Sequence, residues 1–200
     1  DLSVGYPRLG IQYRIVDGVL QVKSPGMLTE YFRDLDKFRE SVTEDGFFIT
    51  KDRFRTDENG FYFFLGRADD MFVCGGENIY PSEVEAIMRR HPDVVDVAAV
   101  GIDDPIKGKK PYAFVVLRES ASCDERALQE FALESAAAYL HPRRIWRLAR
   151  IPYTATGKVE RPVLEDMALR LLQGRPSEGD LVLMFDFEDV KGGTKCNTSE

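Results

Sequence analysis

The sequence predicts an α+β chain in two parts, a small antiparallel β unit followed by a compact α+β module. Three observations carry this. Two pairs of alternating apolar runs, each joined by a turn signal, occupy the first third of the chain. From Met71 onward, helical spacing alternates with strand-like runs over about a hundred residues. A composition of 44% hydrophobic and 30% charged residues allows a buried core and excludes disorder throughout.

The elements follow in order. In YRIVDGVLQVKSP, the runs Tyr13–Val16 and Val19–Val22 flank Asp17-Gly18, a strong hairpin signal. TEYFRDLDKFRESV reads as a short helix. DRFRT and FYFFLG, joined through DENG, form a second hairpin turning at Asn59-Gly60. This first part, up to Gly66, is small for an independent core. Cys74-Gly75-Gly76 reads as a flexible loop. Pro81-Ser82 opens a helix with a Ser82/Glu85 capping box and Val84, Ile87 and Met88 at helical spacing, and His91-Pro92 ends it.

VAAVGI (97–102) and YAFVVL (112–117) read as strands around a charged loop, DDPIKGKKP. A second capping box, Ser122 to Glu125, opens a helix carrying Leu128, Phe131 and Ala132 on one face. Residues 144–151 read as a strand, and Leu164, Met167, Ala168 and Leu171 place a further helix. From Gly174 the pattern lapses. GRPSEGD is linker-like, LVLMFDFEDV has the character of one strand, and GGTKCNTSE reads as disordered. No internal repeat is evident.

A net charge of -7 argues against nucleic acid as the main partner, although it leaves room for a local basic pocket. Cys74, Cys123 and Cys196 are odd in number and widely spaced, which fits neither a disulfide framework nor a zinc site. That usage suggests a reducing, cytoplasmic compartment, and the sequence singles out no metal ligands. No apolar run approaches the ~18 residues of a membrane span, and no signal peptide is present. A chain beginning at Asp1 reads as processed or cut from something longer.

The stretch IPYTATGKVERPVL (151–164) sets Lys158 behind a glycine in a turn-rich segment. A Walker-type phosphate loop is excluded, because its first glycine is replaced by Pro152 and Val159 stands where Ser or Thr is required. Taken alone, Lys158 reads as a solvated lysine at a turn.

GRADDMFVCGGENIYPSEVE (66–85) and IPYTATGKVER together change that reading. They resemble the carboxyl-terminal part of the adenylate-forming ligases, the superfamily of acyl-CoA and aryl-CoA synthetases, adenylation domains and luciferases. The resemblance runs from about Ser3 to about Leu172, with several motifs in family order and spacing. It implies the following organisation: residues 1–68 are the end of a large N-terminal domain, residues 69–173 are the mobile C-terminal domain, and residues 174–200 form an atypical tail. The reaction implied is attack of a carboxylic acid on MgATP to form an acyl-adenylate, followed by displacement of AMP by a thiol, usually that of coenzyme A.

Within that resemblance, Lys158 matches the lysine brought over the substrate carboxylate and α-phosphate. An ammonium there relieves the repulsion between two anions where negative charge builds. Gly157 gives its loop backbone freedom. Asp52, in ITKD, matches the aspartate that accepts both ribose hydroxyls, as a carboxylate can from a vicinal diol. The usual motif is Thr-Gly-Asp, and Lys51 stands in place of the glycine. Arg67 matches an arginine of the ribose and phosphate region, and Asp69 falls at the hinge. Gly75 and Gly76 match a loop along the pantetheine arm, where the backbone approaches the ligand and donates to its amides. Arg143 and Arg144, in YLHPRRIWRL, are candidates for the CoA phosphates. Arg161 braces the lysine loop. His141 is structural.

The resemblance thus implies an AMP-forming acid–CoA ligase using ATP, Mg2+ and CoA. The phosphate loop, the acid pocket and most of the Mg2+ site would lie in a missing N-terminal portion, and the isolated chain is expected to be inactive. The sequence leaves two alternatives open: an adenylation enzyme that loads a carrier protein, and a non-catalytic module paired with a partner that supplies the ATP site.

Overall fold

A computed structural model describes residues 3–27, 30 and 35–184. The chain divides into two compact units between Met71 and Phe72.

The first unit is a four-stranded antiparallel sheet in the order β1-β2-β3-β4, with β1 at Gln12–Val16, β2 at Val19–Lys23, β3 at Phe48–Thr56 and β4 at Tyr62–Arg67. Both expected hairpins are present. Val16 faces Val19 across the Asp17-Gly18 turn. In the second, Asp57 closes the turn by accepting the amides of Asn59 and Phe61. The helix expected between the hairpins is a single short one, α1 (Leu35–Glu40), and residues 31–34 lie outside the described residues. Among the described residues, Leu20 is the one hydrophobic side chain of this unit that is buried. Tyr6, Val16 and Phe64 stand exposed.

The second unit is a five-stranded sheet with helices on both faces. Its strands are β5 (Phe72–Cys74), β6 (Glu77–Ile79), β7 (Val94–Asp104), β8 (Gly108–Leu117) and β9 (Ile145–Arg147). β7 and β8 form a long antiparallel ladder from Val94↔Leu117 to Asp104↔Gly108. The other side of β8 is shared, antiparallel to β5 at Cys74↔Gly108 and parallel to β9 at residues 113–115. The helices are α2 (Pro81–Met88), α3 (Glu125–Ser135), α4 (Arg161–Leu172) and α5 (Glu178–Leu183).

The period-2 alternation of a strand sorts the core into layers. Val97, Ala113, Val115 and Leu117 pack with Ile87 and Met88 of α2 and Leu128 and Ala132 of α3. Ala98, Val100, Ile102 and Phe114 point to the opposite face, against Leu164, Met167 and Ala168 of α4. Covered on both faces, β7 and β8 read as nearly continuous apolar runs, as buried strands do. A third cluster joins Phe72, Ile79, Val84 and Ala99.

Several local expectations are corrected. α2 begins at Pro81, with Tyr80 at the N-cap and no side-chain cap. Glu85 is buried in the packed face of the helix instead of closing a capping box with Ser82. α3 is capped by Asp124, whose carboxylate accepts the Ala127 amide, so Ser122 lies outside the helix. In the charged loop only Pro105–Lys107 stay outside the ladder. Asp104 turns the chain there by accepting the amides of Ile106 and Lys107.

The start of the tail is not a linker. Ser177 and Asp180 form a capping box on α5. Arg170 of α4 grips both oxygens of the buried Asp180 at 2.7 Å. Residues 181–183 are therefore helical and not strand, and only Met184 bridges to Leu148. The remainder of the expected strand and the GGTKCNTSE segment lie outside the described residues.

Candidate functional site

Lys158 does not sit in an open loop. The segment between β9 and α4 folds into a small hairpin with a Tyr153↔Val159 bridge. The Thr154 amide donates to the Lys158 carbonyl at 2.8 Å, and the Lys158 amide donates to Thr154 Oγ1 at 3.1 Å. Gly157, at φ 76°, closes the turn in the left-handed region that an L side chain avoids. Thr154 is thus the residue that makes the turn, because its hydroxyl reaches the lysine amide four residues on. Lys158 is exposed, and among the described residues its ammonium has no carboxylate partner. Beside the hairpin a cleft of about 430 Å³ is lined by Arg150, Ile151, Pro152, Tyr153 and Glu160.

In the first unit, Asp52, Arg67 and Asp69 come together. Strand pairing sets Asp52 directly opposite Arg67. Arg67 Nη1 donates to Asp52 Oδ1 at 3.0 Å, while its Nε and Nη2 fork onto the two Asp69 oxygens at 2.8 and 2.9 Å. This is the planar, two-pronged contact that guanidinium geometry favours. The fork raises the Arg67 pKa above its ordinary value, and the same contact holds the Asp69 carboxyl below the usual carboxylate range. The second oxygen of Asp52 takes no hydrogen bond among the described residues and the side chain is half-buried, so one acceptor is fixed and the other is open. Lys51, where a glycine was expected, has φ 61°. Its carbonyl accepts the Ala68 amide at 2.8 Å, which holds that conformation.

The glycines Gly75 and Gly76 form a tight two-residue turn between β5 and β6, at φ 61° and 92°, rather than a flexible loop. The Gly75 amide already donates to the Lys107 carbonyl at 2.9 Å, so it is not available to a ligand. Gly76 borders open space.

Of the paired arginines, Arg144 is engaged by Glu125 at the first turn of α3, with its Nε 2.8 Å from Oε1. The same Glu125 oxygen accepts the Ile145 amide, so this contact ties α3 to β9. Arg143 sends its amide to the Pro111 carbonyl, and its Nε is buried with no hydrogen-bond partner among the described residues. His141 is half-buried, and its pKa is lowered by burial and then by Arg143.

The fold also assembles groups that sequence reasoning did not join. Arg161 Nη1 donates to Glu85 Oε1 at 2.8 Å and to the Ala99 carbonyl at 2.9 Å, tying the start of α4 to α2 and β7. The signal for Glu85 was available, since it lies on the apolar stripe of α2 with Pro81 and Met88, where a carboxylate needs a partner. His91, Asp93 and Cys123 present ligand-type atoms within 4.8 Å of one another, although no zinc-like spacing links them in the chain. Burial first, and the Asp93 carboxylate second, push the Cys123 thiol up to about 11. It is therefore a protonated donor to Asp93 near neutral pH.

The second unit is thus a helix-covered, mixed sheet that presents a lysine on a tied hairpin. Residues 83–158 match the family model of the AMP-binding enzyme C-terminal domain. The chain carries a C-terminal domain of the adenylate-forming enzymes. The sulfoacetate–CoA ligase of Cupriavidus necator is 36% identical over 144 residues, covering 72% of this chain and 28% of that protein. The 2-succinylbenzoate–CoA ligase of Geobacillus kaustophilus is 38% identical over 148 residues, covering 74% of this chain and 30% of that protein. ATP-bound MatB from Rhodopseudomonas palustris superposes with a TM-score of 0.77 at 30% identity, over 82% of this chain and 35% of that one. The chain thus spans less than a third of the length of these two curated relatives, at 28% and 30%.

Proposed function

We propose that this chain is the C-terminal part of an ATP-dependent, AMP-forming carboxylic acid–CoA ligase. The observation that carries the reading is Lys158, a cation without a carboxylate partner among the described residues, set on a hairpin whose backbone is fixed by Thr154. In the first half-reaction a carboxylate oxygen bonds to the α-phosphorus of ATP while the bond to the leaving pyrophosphate breaks. Lys158 stands between the two anions and stabilises the charge that builds there. In the second, the CoA thiol displaces AMP from the acyl carbon, a step for which this lysine is not required.

Asp52 holds the ribose diol through its open oxygen, with Arg67 orienting the carboxylate. Asp69, forked by the same arginine, is the proposed hinge residue. For CoA, the open side of Gly76 and the exposed end of the Arg144 guanidinium, of which Glu125 holds the Nε, are the better-suited contacts, since the Gly75 amide is engaged and Arg143 Nε is buried. Mg2+ takes hard oxygen ligands. The His91–Asp93–Cys123 group mixes nitrogen, oxygen and sulfur, so it does not suit that ion, and Mg2+ binding is assigned to the part of the protein outside this chain.

The coverage of less than a third of its relatives and the thin core of the first unit support a setting in which that sheet packs on the rest of a longer protein. Free Cys74 and Cys123 fit a cytoplasmic enzyme. No helix among the described residues is long and apolar enough to cross a membrane.

The test is Lys158→Ala in the full-length ligase. Acid-dependent ATP–pyrophosphate exchange should fall by about 10²–10³, while thioester formation from supplied acyl-adenylate is retained. Equal loss of both half-reactions would overturn the assignment of Lys158. The isolated chain should show no exchange at all.

A further inference from the structure

We propose that Tyr153 and Arg161 are positioning residues that clasp the two feet of the lysine hairpin to a polar platform on α2 and β7, and so aim Lys158. Among the described residues, residues 154–158 make hydrogen bonds only within the hairpin. Its direction is therefore set where it meets the domain. At one foot, the Tyr153 hydroxyl donates to Asp96 Oδ2 of β7 at 2.8 Å, across 57 positions of sequence. At the other, Arg161 reaches Glu85 of α2 and the Ala99 carbonyl of β7, across 76 and 62 positions.

The platform is itself cross-linked. Glu85 Oε1 also accepts the Ala99 amide at 3.0 Å. Arg89 Nη2 lies 4.0 Å from Glu85 Oε2 and 3.9 Å from Asp96 Oδ1, which brings the acceptors of the two feet under one guanidinium. Burial differs between the feet. The Glu85 side chain is 7% exposed and Arg161 18%, whereas Tyr153 is 44% exposed. An exposed tyrosine contributes little packing, so the reach of its hydroxyl to a distant carboxylate is the contact to explain. Ile151 and Val159 seat the base of the hairpin in the core beside α4, and the two polar feet fix the direction in which it leaves that base. Small displacements matter for a group that acts by placement, since a 1 Å error can cost about 10²-fold in rate.

Two experiments test the clasp, and only the second rests on the ligase reading. In the chain itself, backbone 15N relaxation of the wild type should give order parameters near ~0.85 at Gly157 and Lys158, falling below ~0.6 in Tyr153→Phe. The amides of Val97 and Ala99 should stay ordered. Unchanged order at Lys158 in both Tyr153→Phe and Asp96→Asn would overturn the proposal. Arg161→Lys keeps a charge beside buried Glu85, so the second foot can be weakened without leaving that carboxylate unpaired. It should loosen the hairpin in the same way.

In the full-length ligase, Tyr153→Phe should lower ATP–pyrophosphate exchange about tenfold and spare thioester formation from supplied adenylate. A parallel fall in both would show general destabilisation and sink the positioning role. A wild-type ligase without exchange would refute the proposed function while leaving the relaxation result standing.

Discussion

Replacing Lys51 by glycine should stabilise the first unit, and the size of the gain follows from one backbone angle. Lys51 has φ 61°, inside the region where Cβ crowds the following carbonyl. For an L residue this costs roughly 1–2 kcal/mol. The conformation is not optional, because the Lys51 carbonyl must accept the Ala68 amide next to the Asp52–Arg67 pair. Glycine removes the crowding but gains freedom in the unfolded chain, which offsets about 0.4–1 kcal/mol. The net expectation is a gain of about 0.5–1 kcal/mol. Hydrogen exchange at the Ala68 amide reads it directly, since that bond closes on the strained residue. Protection should rise about two- to fivefold, the factor that such an energy represents. Lys51→Ala is the control, because it deletes the charge and keeps the strain. If alanine stabilises as much as glycine, or if glycine lowers protection, the argument from backbone strain is wrong.

Three further outcomes are expected. A Cβ at Gly101 would stand 2.6 Å from the Phe72 ring, so Gly101→Ala should destabilise the second unit by about 1–3 kcal/mol, measured by urea unfolding with Trp146 fluorescence. The Asp180 carboxyl is lowered from 3.8 to about 2, first by the Arg170 fork. A depressed carboxyl contributes stability that is complete above its unfolded value and is lost as pH falls through the folded one. The docking of α5 should therefore hold above pH 4 and fail toward pH 2, which the amide shift of Met184, bonded to the Asp180 carbonyl, would follow. A midpoint unchanged in Arg170→Ala would remove the proposed cause. With its thiol pushed up to about 11, Cys123 should alkylate at pH 8 about a hundredfold more slowly in the native chain than in urea, as mass spectrometry of that peptide would show.

Much of the fold was legible because it is written in short-range chemistry. Asp17-Gly18 and Asp57–Gly60 turn the chain through their own backbone preferences and side-chain acceptors, so the hairpins needed no distant partner. The apolar alternation of β7 and β8, and the helical spacing of Leu164, Met167 and Ala168, announced the core layers correctly. The GRADD and GKVER stretches carry the family resemblance, and with it the class of protein. The capping boxes failed for a physical reason, since Glu85 and Ser122 sit at positions that suit a cap locally. Tertiary packing took Glu85 into the interior, and Asp124 outcompeted Ser122 for the start of α3.

By itself, the sequence determined both hairpins of the first unit, the paired runs of β7 and β8, the places of α2, α3 and α4 and the lysine to look at, all of which depend on contacts within a few residues. The tertiary structure alone decided what each charged group answers to. It joined Tyr153 to Asp96 and Arg161 to Glu85 across 57 and 76 positions. It engaged Arg144 with Glu125, tied up the Gly75 amide and drew Asp180 onto Arg170. Such pairings are invisible to local pattern because a hydrogen bond acts over a few ångströms of space, whatever the length of chain between its partners.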